Sequence, residues 1–287
     1  MSDSVPEKPD ATALLGHVET LARRAGAEIM RYYNGEAQAG IAIKDDGSEV
    51  TAADLASEKI ILPALAKLTP DIPIVSEERV AAGDIPDIGG GTFWTVDPLD
   101  GTKEFIKRTC AFVVAIALIV ENKPVLGVIY HPAKGLLYSA AGPGTATKVD
   151  ATGARAQIGA AAKKNRRAKM RVLVNRPHAN MKNIKGWLSG QFGNAARIDT
   201  RSGVFRACQV AEGRADMAVY EGAKREGRQK WWDAAPGHAI IEAAGGKVKT
   251  PDGKPLLYKD ADLCVPPYVA TAPHFKKPSA VKKTPKT

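Results

Sequence analysis

Nowhere in this chain do eighteen or more apolar residues run without interruption, so no segment has the length and hydropathy of a membrane-spanning helix. Cysteine is scarce, and Cys110, Cys208 and Cys264 are odd in number and far apart. They support neither a disulfide framework nor a zinc site, and a reducing, cytoplasmic compartment is the expectation. The opening MSDSVPEKPD has no basic segment leading into an apolar run, and is not expected to be a secretory signal. Aromatics make up only 6% of the residues and are not interleaved with the two stretches where positive charge collects.

Those two stretches account for much of the net charge of +10. One is the tail from Pro273, with Lys276, Lys277, Lys282, Lys283 and Lys286 and no acid. The other runs from Lys163 to Arg171. Without aromatics on which bases could stack, no stable nucleic-acid partner is expected. The favoured reading is a solvated tail and a polar linker. Weak contact of the basic tail with an anionic membrane surface, placing the protein peripherally at the inner membrane face, stays open.

What is present reads as a soluble composition, 44% apolar and a quarter charged, in a chain long enough to bury a sizeable core. Apolar spacing predicts a helix over Leu14–Tyr33 that stops at Asn34-Gly35. A second is predicted over Thr51–Leu68, with Thr51 a capping candidate and Pro63 expected to kink or break it. Short β-rich runs follow at 72–76, 93–96, 111–120, 125–130 and 136–140, punctuated like antiparallel hairpins. Beyond the basic stretch, strands (171–175, 215–220, 247–250) alternate with helices (179–189, 203–212, 234–244), an α/β pattern. The expected organisation is a disordered tail over 1–13, an α+β domain over 14–150 holding metal and phosphate, an α/β substrate domain over 151–272 and a basic tail over 273–287.

The most informative segment is Phe93-Trp94-Thr95-Val96-Asp97-Pro98-Leu99-Asp100-Gly101-Thr102. A β-rich run leads into two carboxylates three residues apart, which repel unless a cation lies between them, and hard cations such as magnesium take such oxygen ligands. Gly101 would let the backbone approach an anion closely, and the N–H groups of a following helix start would hold it. The alternative is an Asx-turn in which the aspartates cap a helix. Glu77-Glu78 closes the strand twenty residues before Asp97, and Asp233 stands before the predicted helix 234–244, where a simple N-cap is the competing reading.

Together these segments resemble the inositol monophosphatase superfamily, magnesium-dependent and lithium-sensitive phosphatases. Asp97-Pro98-Leu99-Asp100-Gly101-Thr102 is similar to its first signature, Trp232-Asp233-Ala234-Ala235-Pro236 to its second, and Thr51-Ala52-Ala53-Asp54 to an early Thr-x-x-Asp element. The resemblance spans about residues 14 to 272 and implies a layered αβαβα sugar-phosphatase-like fold, an antiparallel sheet in the first half and a mixed α/β second half. It implies two to three Mg2+ ions: Glu77, Asp97 and the Leu99 carbonyl at one, Asp97, Asp100 and Asp233 at another. Gly101 and Thr102 would contact phosphate, and Thr102 with Asp54 would orient the attacking water.

After the first signature, Lys103-Glu104-Phe105 is similar to the 3′(2′),5′-bisphosphate nucleotidases, which take the 3′-phosphate from 3′-phosphoadenosine 5′-phosphate. Val174-Asn175-Arg176-Pro177-His178 points the same way. Where relatives carry Gly-Ser-Ser-Leu-Lys, this chain has Ser202-Gly203-Val204-Phe205-Arg206, so Arg206 is the candidate for the second phosphate, with Lys103 as helper and Asp233 also facing substrate. The competing place for Arg206 is the solvated face of its helix. An inositol- or sugar-phosphate phosphatase remains the alternative, and an inactive nucleic-acid-binding or regulatory relative is the reading from another class. Relatives occur as monomers and as homodimers, and the substrate is expected to be a small phosphorylated metabolite.

Overall fold

The computed structural model describes residues 8–38, 40–44, 47–159, 169–174, 181–192, 196–200, 205–221 and 229–276. Most of the basic stretch (163–168), most of the tail (277–287) and the segments 175–178 and 202–204 lie outside the described residues.

The chain opens with α1 (Ala11–Tyr33), the hairpin β1 (Ile41–Ile43) and β2 (Glu49–Thr51), and α2 (Ala52–Leu68). Then come β3 (Ile74–Ser76), α3 (Glu77–Ala81), β4 (Phe93–Asp100), α4 (Thr102–Ile106), β5 (Val113–Val120), β6 (Lys123–His131), β7 (Leu136–Ala141), β8 (Thr147–Val149) and β9 (Arg155–Gln157). The remainder is β10 (Met170–Val174), α5 (Met181–Phe192), β11 (Ala196–Thr200), α6 (Phe205–Ala211), β12 (Met217–Tyr220), α7 (Trp231–Ala243), β13 (Lys247–Lys249) and β14 (Tyr268–Thr271).

β3 to β9 form a seven-stranded sheet in sequence order, antiparallel except for the parallel β3–β4 pair. The other large sheet is mixed, in the order β11-β10-β12-β14-β13. Helices α1 and α2 cover one face of the first sheet, α6 and α7 fill the space between the sheets, and α5 covers the far face of the second. The result is the five-layered αβαβα arrangement. β5 reads VVAIALIV because both of its faces are covered, and such strands lose their polar alternation. Val114, Ile116 and Leu118 point to α1 and α2, whereas Val113, Ala115 and Ala117 point to the layer holding α7.

Several elements depart from the sequence reading. Asp10 caps α1 through hydrogen bonds from the Thr12 and Ala13 N–H groups, so residues 11–13 are helical rather than part of a disordered tail. Thr51 caps α2 as expected, but the helix runs unbroken through Pro63, which lies on the exposed side. The missing N–H there frees a carbonyl toward water instead of into the core. The first sheet continues to Gln157, so the division placed at 150 falls between its last two strands. Helix α7, from the second half, packs across β4 to β7 of the first. That approach needs Gly127 on β6, where a Cβ would stand 2.5 Å from the Pro236 carbonyl oxygen.

Candidate active site

β4 is paired on one side with β3 only as far as Val96. On the other side it matches Asp97 to Ala115 and Asp100 to Val113, three steps against two, which is a β-bulge. The bulge falls on Pro98 and Leu99, which have no register partner on β5, while Asp97 and Asp100 on either side keep theirs. The Leu99 N–H donates to Asp97 Oδ1 at 3.0 Å, so an Asx-turn forms, but the aspartates do not cap the helix as that alternative required: the N-cap of the helix opening at Thr102 is Gly101, with no side-chain capping bond. Gly101 follows at φ +96°, where an added Cβ would lie 2.7 Å from the Ala111 carbonyl, and Thr102 opens α4.

The Thr102 hydroxyl lies 3.1 Å from Asp54 Oδ1 and 3.3 Å from the Leu99 carbonyl. Asp54 is buried on the first turn of α2, its other oxygen held by the Thr51 hydroxyl at 2.6 Å and the Thr51 N–H at 2.8 Å. Burial raises its carboxyl above the usual range despite those donors.

Asp233 arrives from the opposite layer. It is the third residue of α7, not the residue before the helix, and accepts the Lys230 N–H at 3.0 Å. Trp231, fully buried beside it, stacks on Phe93 of β4 and so fixes the start of α7 against the strand that carries Asp97.

Asp97, Asp100 and Asp233 each offer a carboxylate oxygen, and these atoms all lie within 4.8 Å of one another. Burial, then the nearby charges of Glu77, Asp100 and Asp233, pushes Asp97 well above the usual carboxylate range. Asp233 is pushed up to about 8, by burial first and then by Asp100 and Glu77. Crowded carboxylates this perturbed call for positive charge, and an all-oxygen donor set suits a hard divalent cation. The cluster could hold a metal. It lines a cleft of about 370 Å³ together with Glu77, Leu99, Gly101 and Thr102.

Glu77 lines this cleft but stands outside the three-carboxylate cluster. Its Oε1 meets the Lys44 ammonium at 2.8 Å, and the same ammonium meets Glu78 Oε1 at 2.8 Å. Burial pushes Glu78 up to about 7 against the pull of Lys44. Lys44 and Lys230 both line the cleft and were missed in the sequence. Lys230 adjoins the second signature, which could have drawn notice, whereas Lys44 sits in an unremarkable run.

Arg206 is buried, with its guanidinium 4.3 Å above the Tyr220 ring, so the solvated placement considered for it is corrected. Tyr220 stacks in turn on Tyr268 at 4.2 Å. The residue is not among those lining the acidic cleft. Lys103 is exposed on α4, its ammonium 3.8 Å from Glu49.

The inositol monophosphatase family model matches residues 10–282. A protein of Escherichia coli O6:H1 described as 3′(2′),5′-bisphosphate nucleotidase CysQ is 42% identical over 245 residues, 85% of this chain and 94% of that one. One of the same description from Buchnera aphidicola is 38% identical over 85% of this chain and 87% of its own. The crystal structure of CysQ from Bacteroides thetaiotaomicron superposes with a TM-score of 0.72 at 28% identity, covering 94% of this chain and 99% of that one.

Proposed function

The chain belongs to the inositol monophosphatase family, whose members are metal-dependent phosphoric monoester hydrolases, and on that premise we propose that it is a 3′(2′),5′-bisphosphate nucleotidase. Its reaction would convert 3′-phosphoadenosine 5′-phosphate to AMP and phosphate. The observation that carries the hydrolase reading is the convergence of Asp97, Asp100 and Asp233, from two different layers, beside the Asp54–Thr102 pair. The nucleotide preference rests on the 42% identity to a nucleotidase across most of both chains.

Asp97, Asp100 and Asp233 would hold Mg2+, with Glu77 and the Leu99 carbonyl completing a second position once Glu77 is released from Lys44. Bound there, two to three ions would supply the Lewis acidity that makes water nucleophilic at neutral pH and offsets charge on the departing oxygen. Thr102 and Asp54 act as one unit. The carboxylate fixes the hydroxyl, and the hydroxyl orients the water in line with the scissile bond. The water oxygen attacks phosphorus, the bond from phosphorus to the ribose oxygen breaks, and a proton ends on that oxygen. Gly101, without a side chain, lets the backbone stand against the phosphate.

The substrate's second phosphate we assign to Lys230 in the cleft and to exposed Lys103, with Arg206, buried against Tyr220 and outside the cleft lining, in a structural role. The basic tail would at most touch an anionic membrane surface weakly, and either a monomer or a homodimer is compatible with this chemistry. Among the described residues no helix is long and apolar enough to cross a membrane. A panel of 3′-phosphoadenosine 5′-phosphate, inositol 1-phosphate and fructose 1,6-bisphosphate, assayed for phosphate release with Mg2+, tests the reading.

A further inference from the structure

The bulge in β4 leaves backbone groups that neither neighbouring strand takes up. Beyond Val96 the β3 side of β4 is open, because β3 ends at Ser76 and the chain turns into α3. Helix α2 fills that gap with one face. Asp54, Ser57 and Glu58 stand at positions i, i+3 and i+4, which share a side of a helix. Each meets a different segment of the site. Asp54 accepts from the Thr102 hydroxyl, the Ser57 hydroxyl donates to the Pro98 carbonyl at 2.8 Å, and Glu58 accepts from the Ser76 hydroxyl, one residue before Glu77.

Of the three, Ser57 is the most enclosed, with no solvent exposure, and the carbonyl its hydroxyl meets lies 41 residues away in the chain. A serine hydroxyl buried inside a helix normally turns back to its own helix's carbonyls or out to water. This one is instead spent on the residue between Asp97 and Leu99. Its bond sets how far the bulge stands from α2, and with it the directions of the Asp97 carboxylate and the Leu99 carbonyl.

We propose that Ser57 is a positioning residue of the metal site, holding the Pro98 carbonyl so that Asp97 and Leu99 face the cleft before any cation arrives. The inference rests on the reading of Asp97 as a metal ligand. Groups that orient metal ligands from behind typically contribute roughly 10- to 100-fold in metal affinity.

The test is calorimetric titration of Mg2+ into the metal-free full chain, comparing wild type, Asp97→Asn, Ser57→Ala and Ser57→Thr, with thermal denaturation of each metal-free variant. Ser57→Ala is expected to weaken Mg2+ roughly tenfold at temperatures well below its unfolding transition. Ser57→Thr, which keeps the hydroxyl, is expected to bind within about twofold of wild type, since the bond to Pro98 is what matters. Wild-type affinity in Ser57→Ala, or equal weakening in both Ser57 variants, would overturn the proposal. Failure of Asp97→Asn to weaken Mg2+ would instead remove the premise that Asp97 is a ligand, so the two failures are distinguishable.

Discussion

The ring of Trp231 stacks on that of Phe93 with centroids 5.0 Å apart and planes 28° from parallel. Phe93 lies four residues before Asp97 on β4, and Trp231 lies two residues before Asp233 on α7. A single apolar contact therefore carries two carboxylates from different layers toward each other, against their own repulsion. The folded protein bears the burial of these groups first, and then that repulsion, as raised carboxyl pKa values, and the packing of α7 on the first sheet sustains them.

Gly127 tests how closely α7 must approach. Gly127→Ala would drive a methyl group to 2.5 Å from the Pro236 carbonyl and 2.9 Å from the Ala239 Cβ. Overpacking of this kind costs about 1–3 kcal/mol, and thermal denaturation should register it. Because the shift moves Asp233 away from Asp97, Mg2+ should also raise the variant's melting temperature less than it raises that of wild type.

The raised carboxyls fix the pH dependence of the metal-free protein. Asp233 moves from 3.8 to about 8, and Glu78 from 4.5 to about 7, so between those limits the folded state holds protons that the unfolded chain releases. Stability from such groups is complete at low pH and lost as pH rises through the folded value. His131, depressed by burial from 6.5 to about 4, works in the opposite sense, but only below 6.5. Between pH 6.5 and 8 metal-free stability should therefore fall, on the order of 1 kcal/mol per pH unit for each carboxyl still titrating. Mg2+ should raise the melting temperature more at pH 8 than at pH 6.5. Differential scanning fluorimetry at the two pH values checks both statements.

Much of this architecture was legible because it is local or periodic. Both faces of β5 are buried, and the unbroken run VVAIALIV announces it; the capping Thr51 and the stop at Asn34-Gly35 are written in single residues. Asp97, Asp100 and Asp233 were legible through their signatures and lie together. What escaped depends on distant chain segments. Nothing near Lys44 indicates that a hairpin will carry it to Glu77 and Glu78, and nothing near Arg206 says that Tyr220 will cover it. The start of α7 escaped because Trp231 and Trp232, which precede the predicted helix over 234–244, are fixed at its first turn by distant segments: Trp231 packs on Phe93 and its backbone N–H reaches the Leu263 carbonyl.

The division of labour between Lys230 and Arg206 separates specificity from support. Lys230→Met keeps most of the side-chain stem and removes the charge, so KM for 3′-phosphoadenosine 5′-phosphate should rise roughly tenfold or more, as loss of a charged hydrogen bond requires. For a substrate with one phosphate the change should be much smaller. Arg206→Ala should act mainly on stability, since a desolvated cation–π contact is worth about 2 kcal/mol and the buried stem leaves a cavity. Steady-state kinetics on both substrates, beside thermal denaturation, distinguishes the two effects.

The most direct test is phosphate release from 3′-phosphoadenosine 5′-phosphate by wild type and Asp97→Asn as Mg2+ is titrated from zero. Wild type should be silent without the metal, active with it, and at least about tenfold better in kcat/KM on this substrate than on inositol 1-phosphate, as a second charged phosphate contact requires. Asp97→Asn, which keeps the size and removes the charge, should be slower by roughly a thousandfold, since several kcal/mol of transition-state stabilisation are lost. Release that persists in a chelator, near-normal turnover by Asp97→Asn, or no preference for the bisphosphate would contradict it.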